Sequence, residues 1–135
     1  MDKQIAIGQI FNNYSEIVAV YLFGSFNENP KHARDIDLAV LTKNGSLKPV
    51  NLYMELYPSL VKIFSPLDVD LLFLQNAPLA IAFEIISQGK VIYSSDEDMR
   101  TDYEFLISGR YMDFKYHLER GYNELYENLK EELGV

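Results

Sequence analysis

Asp35-Ile36-Asp37 opens an otherwise apolar stretch, Ile36 to Leu41, whose composition predicts a β-strand. Side chains alternate faces along a strand, so Asp35 and Asp37 point to one side while Ile36 and Leu38 point to the other. Asp68 and Asp70 repeat the arrangement in a second apolar stretch, Leu67 to Leu74. Carboxylates are poor strand formers, and two like charges held close repel unless a cation lies between them. Breaks in local consistency of this kind are expected mainly at functional sites. The chemistry they suit is hard and all-oxygen. Mg²⁺ fits it, since that ion takes one or two carboxylates, several waters and substrate phosphates. Two such ions can activate an attacking hydroxyl and stabilise a leaving pyrophosphate. The plainer account of any single Asp-x-Asp is a strand end facing solvent.

Gly24-Ser25 closes an earlier apolar run, Ile17 to Phe23. A glycine where a buried strand ends and a short helix begins lets backbone approach a phosphate, and Ser25 and nearby N–H groups can donate to its oxygens. Asn27 to Arg34 reads as a polar loop containing Pro30, and Arg34 or Lys31 can supply a charge-assisted phosphate contact. His32 in that loop and His117 further on read as structural or surface residues, His117 having no second histidine at metal-ligand spacing.

The elements that must position these residues are mixed α and β. Ile5, Ile7, Ile10, Phe11 and Tyr14 predict an amphipathic first helix. The runs at 17–23, 36–41 and 67–74 predict three strands, with Lys43-Asn44-Gly45 ending the second. A helix is expected after Pro49, with Leu52, Leu56, Leu60 and Ile63 on or near one face and a kink at Pro58. Another runs from near Pro78 to Gln88 with Gly89 as its C-cap, and Val91-Ile92-Tyr93 gives a short fourth strand. Ser95-Asp96-Glu97-Asp98 reads as an N-cap with an acidic first turn, opening a long helical region that Gly109 or Gly121 interrupts. The resulting class is α+β: a small mixed sheet of about four strands packed by helices. Residues 1–135 read as one domain, with a core at about 10–95 and a C-terminal helical region at about 96–135.

Composition narrows the function classes. A 135-residue chain with 48% hydrophobic residues, 10 Tyr and 8 Phe has enough apolar material for a core. A net charge of −8 disfavours double-stranded nucleic acid as the main partner. With no cysteine the chain has neither disulfides nor thiolate metal sites, and no apolar run reaches a membrane span. A cytoplasmic protein without a membrane partner is the expectation.

Gly24-Ser25-Phe26, then Asp35-Ile36-Asp37-Leu38-Ala39-Val40, then Val69-Asp70-Leu71-Leu72 resembles the DNA polymerase β-like nucleotidyltransferase superfamily. Its signature is Gly-Ser, an Asp-x-Asp about ten residues later, and a third acid on a later strand. Phe83-Glu84-Ile85-Ile86 and Gly89-Lys90-Val91-Ile92-Tyr93 look like its smallest branch, the minimal nucleotidyltransferases paired with HEPN-domain proteins in prokaryotic toxin–antitoxin modules. The resemblance covers roughly residues 10 to 120. It implies an antitoxin that transfers AMP from ATP to a tyrosine of a HEPN ribonuclease toxin, using Mg²⁺, two ions by analogy. By position, Asp35 and Asp37 would ligate the metals, and Asp70 would complete the set and deprotonate the acceptor hydroxyl. Gly24 and Ser25 would cradle the phosphates, with Arg34 beside them. Asp68 shares a face with Asp70 and competes for the third place.

The chain departs from the family at Asn27-Glu28-Asn29, where relatives carry a basic residue and a second glycine, and at Arg34, where a small hydroxyl residue is usual. The interval from Gly24 to Asp35 is about one residue short. Two alternatives follow: an antitoxin that neutralises its HEPN partner by binding alone, and a small-molecule nucleotidyltransferase, which the short chain disfavours. Tyr111, Phe114, Leu118, Tyr122, Leu125 and Leu129 form a stripe that either packs on the protein's own sheet or meets a partner. The reading leaves room for a homo-oligomer.

Overall fold

The computed structural model describes residues 3–43 and 49–134. The chain runs α1 (Lys3–Asn12), β1 (Ile17–Phe23), α2 (Gly24–Glu28), β2 (Asp35–Thr42), α3 (Pro49–Phe64), β3 (Asp68–Phe73), α4 (Leu79–Gln88), β4 (Lys90–Ser94) and α5 (Glu97–Leu133). The four strands form one sheet in the order β3-β2-β1-β4. β1 pairs antiparallel with both neighbours, and β2 pairs parallel with β3. A parallel pair needs a crossover, and α3 supplies it.

Both faces of the sheet are covered. Ile36, Leu38, Val40 and Val69 meet Phe11 of α1 and Leu52, Leu56 and Leu60 of α3. Ala19, Tyr21, Ala39 and Leu41 meet Ala82 and Ile85 of α4 and Ile107 of α5. This double burial explains why β1 reads as a continuous apolar run rather than an alternating one, with Ile17 to Tyr21 all buried. Tyr21 keeps its hydroxyl satisfied by donating to Glu104 of α5 at 3.2 Å, and Arg100 holds Glu104 from one turn earlier. Burial foremost, reinforced by Glu104, pushes the Tyr21 hydroxyl well above its ordinary pKa.

Several expectations meet corrections. Asn27 and Glu28 belong to α2, so the polar stretch is helical for its first two residues. α3 continues through Pro58 and buries Phe64 rather than Ile63 at its end. Leu67 and Leu74 lie just outside β3, Leu74 starting a 3₁₀ turn. Gly109 and Gly121 do not interrupt α5, which is continuous over 37 residues. A glycine costs a helix only about 1 kcal/mol, which neighbouring turns absorb. Asp96 caps α5 by accepting from the Met99 N–H at 3.0 Å. Asn44 and Gly45, expected to end β2, lie outside the described residues. No helix among the described residues is long and apolar enough to cross a membrane.

Gly89 caps α4 as expected, its N–H donating to Ile85 at 2.7 Å, but its φ of −73° does not call for glycine. Space does: a Cβ would lie 2.5 Å from the Ile85 carbonyl oxygen and 3.2 Å from that of Leu22.

Candidate active site

Alternation along β2 puts Ile36, Leu38 and Val40 against α3 and turns Asp35 and Asp37 to the face that α4 and α5 cover further along, at Ala39 and Leu41. β3 repeats the pattern, with Val69 against α3. The parallel register sets Asp35 opposite Asp68 and Asp37 opposite Asp70. Four carboxylates therefore stand in two ranks on one face, where β2 and β3 begin. The two ranks differ in depth: Asp35 and Asp37 are half-buried, while Asp68 and Asp70 are exposed.

Asp37 is the centre of this group. Burial, then a hydrogen bond with Asp70, then the charges of Asp70 and Asp35 raise its pKa above the ordinary carboxylate value. Two carboxylates near enough to share a proton at low pH are near enough to share a cation at neutral pH. Gly24 closes the other side. Its φ is +75°, and a Cβ there would fall 2.1 Å from the Asp37 Oδ2, so the turn lies directly against the carboxylate. β1 explains the proximity, because Phe23, its last residue, is the antiparallel partner of Asp37. Among the described residues no three acidic or histidine side chains already form a cage for a metal ion. Two carboxylates beside a phosphate-sized cradle still fit Mg²⁺, which completes its shell with water and substrate oxygens.

The remaining sequence candidates are placed as follows. Ser25 is exposed in the first turn of α2, and its carbonyl accepts from the Asn29 N–H at 2.7 Å. Arg34 stands immediately before β2; its carbonyl accepts from the Asp68 N–H at 3.1 Å, and its side chain is exposed. Lys31, His32 and His117 are exposed too. The alternation of β3 cannot separate Asp68 from Asp70. Register distinguishes their neighbours: Asp70 stands opposite Asp37, and Asp68 stands opposite Asp35.

Asn27 carries a contact that sequence reasoning missed. Its Nδ2 donates to the Gln88 carbonyl at 3.1 Å, tying α2 to the end of α4 across 61 residues of chain. Nothing local signals this, because the acceptor is a backbone carbonyl that only the fold brings near. Asn27→Ala removes one exposed neutral hydrogen bond and is expected to cost about 0.5–1.5 kcal/mol of stability, read as a lower melting temperature. An unchanged melting temperature would show that the tether does not hold α2 to α4.

With this geometry in place, comparison with known proteins is decisive. A family model described as polymerase beta, nucleotidyltransferase matches residues 6–98. The chain belongs to that family. Among relatives of this nucleotidyltransferase, protein adenylyltransferase MntA of Shewanella oneidensis (strain MR-1) is 31% identical over 88 residues, covering 64% of this chain and 61% of MntA. The match thus spans about three fifths of that relative. A toxin–antitoxin complex with AMP-PNP superposes with a TM-score of 0.64 at 24% identity, covering 93% of this chain and 97% of the other. A complex of tri-AMPylated Shewanella oneidensis HEPN toxin with MNT antitoxin gives 0.65 at 22% identity, covering 91% and 95%. The fold is therefore shared with chains from those complexes over nearly the whole length of each.

Proposed function

We propose that this nucleotidyltransferase is an antitoxin of the cytoplasm that transfers AMP from ATP to a tyrosine of a HEPN ribonuclease toxin. The observation that carries the reading is the placement of Asp37 opposite Asp70 across β2 and β3, with the Gly24 turn directly against the Asp37 carboxylate. Acids that repel one another and a cradle free of side chain are what a metal-bound triphosphate requires. The MntA relative and the complexes with AMP-PNP and with an AMPylated toxin support the choice of nucleotide and acceptor.

In this reading Asp35 and Asp37 hold Mg²⁺, a pair of ions by family analogy, which when bound neutralises phosphate charge and lowers the barrier to displacement at phosphorus. Gly24 and Ser25 position the phosphates from the opposite side, with the Arg34 guanidinium as a further donor. Asp70, exposed toward the incoming acceptor, takes the proton from the tyrosine hydroxyl as its oxygen bonds to the α-phosphorus. The bond to pyrophosphate breaks in the same displacement. A cavity of about 670 Å³ lies elsewhere, lined by Val18, Leu41, Leu74, Met99, Tyr103 and Ile107 among others and by none of Asp35, Asp37, Asp68 and Asp70. An open site of this kind favours an acceptor presented by another macromolecule over an enclosed small molecule.

Neutralisation by binding alone is the second reading, favoured by exposed Glu28 in α2, which places negative charge beside a triphosphate. Intact-mass measurement separates the two. The chain is incubated with a HEPN-domain toxin, ATP and Mg²⁺. AMP-sized mass gains on the partner, absent with Asp35→Ala, are the expected result. A stable complex with no mass change would sink the enzyme reading.

A further inference from the structure

The first half of α5 packs on the domain and the second half leaves it. Ile107 is buried, and Tyr111, one turn later, stacks on Phe83 of α4 with ring centroids 4.2 Å apart. Beyond Tyr111 the same helix face carries Phe114, Leu118, Tyr122, Leu125, Leu129 and Leu133, each between 46% and 76% exposed. Of the stripe that the sequence left either to pack on the sheet or to meet a partner, Tyr111 packs on α4 and the members beyond it are exposed.

From Tyr111 the steps along this face are three, four, four, then three, four, four. That is an 11-residue repeat, about 3.67 residues per turn, which keeps the stripe nearly straight along the helix. At 1.5 Å per residue it extends roughly 33 Å. An exposed apolar strip of this length marks an interaction site.

Two features choose the occupant. A second copy is disfavoured. A two-stranded left-handed coil wants a 3.5-residue period, which the 11-residue repeat of this stripe does not match. The helix surface from Met112 onward is also acidic, with Asp113, Glu119, Glu124, Glu127, Glu131 and Glu132 against Lys115, Arg120 and Lys130. Two copies of a chain with net charge −8 repel, whereas a cationic partner is steered in. We infer that the free half of α5 seats its stripe in an apolar groove between helices of a partner protein whose groove is rimmed by lysine and arginine. Naming that partner as the HEPN protein rests on the function proposed above.

The test uses the full chain and a HEPN-domain toxin. Leu118→Glu/Leu125→Glu changes two exposed positions remote from the aspartates, so circular dichroism, melting temperature and Mg·ATP binding are expected to stay as in the wild type. Affinity for the HEPN protein, measured by calorimetry, falls about 100-fold or more, as for central anchors of an interface. Glu119→Lys/Glu132→Lys weakens it about 10-fold and flattens its salt dependence. Wild-type affinity in the leucine variant overturns the docking surface while leaving AMP transfer untouched. A wild-type dimer by sedimentation that the leucine variant turns into monomer also overturns it, in favour of a second copy. Failure of the wild-type chain to bind the HEPN protein removes both this occupant and the proposed function.

Discussion

Asp37→Asn is expected to lower AMP transfer about a thousandfold or more and to raise the melting temperature of the metal-free domain at neutral pH. The loss is of the size expected when a group that stabilises transition-state charge is removed from a preorganised site. The gain has a separate cause. Asp37 is held above its ordinary pKa by burial first, then by Asp70 and Asp35. A carboxyl whose folded-state pKa is raised binds its proton more tightly in the native state than in the unfolded one. Its contribution to stability therefore declines as pH rises from about 4 through the folded value, and stays unfavourable above it. Asparagine cannot ionise, so the variant escapes that penalty. The difference in melting temperature is expected to vanish below about pH 4, where Asp37 is protonated in both states. Added Mg²⁺ narrows it at neutral pH by stabilising only the wild type. Thermal scans from pH 3 to 8, with and without Mg²⁺, combined with the mass measurement, check both halves. Undiminished transfer by the variant would remove Asp37 from the reaction.

Gly24→Ala is expected to cost about 100-fold in transfer and about 1–2 kcal/mol in stability. The stability cost follows from a φ of +75°, where a side chain meets its own backbone. The activity cost follows from position, because the new methyl group would lie 2.1 Å from the Asp37 Oδ2. A carboxylate can swing aside, and the domain then still folds. It does so by leaving the place where it faces Asp70, and an ångström of misplacement at a reacting centre is worth about two orders of magnitude. Mg²⁺ titration of the ATP-dependent reaction should show a higher metal requirement together with the lower rate. A Gly24→Ala protein with normal transfer would show that the turn does not brace Asp37.

Much of the candidate site was legible because strand alternation is a local rule. Asp35 and Asp37 share a face in any strand of that sequence, and so do Asp68 and Asp70. The choice between Asp68 and Asp70 was not legible, since both lie on the same face of β3 and differ only in which residue of β2 stands opposite. Register between strands distant in sequence is a property of the assembled sheet. The same holds for Asn27, whose bond to Gln88 exists only because β1 and α4 end beside one another.

The sequence by itself determined the order and nature of the elements, the two carboxylate pairs each turned to one side of its own strand, and the glycine where β1 must turn. These follow from backbone geometry and side-chain period, which neighbouring residues set. It also determined that Phe114 to Leu129 lie on one face of a helix. Only the tertiary structure decided what covers that face. Ile107 and Tyr111 meet the domain, and the later members of the stripe do not. Helical spacing states which side chains point together; whether another surface lies against them depends on where the rest of the chain ends.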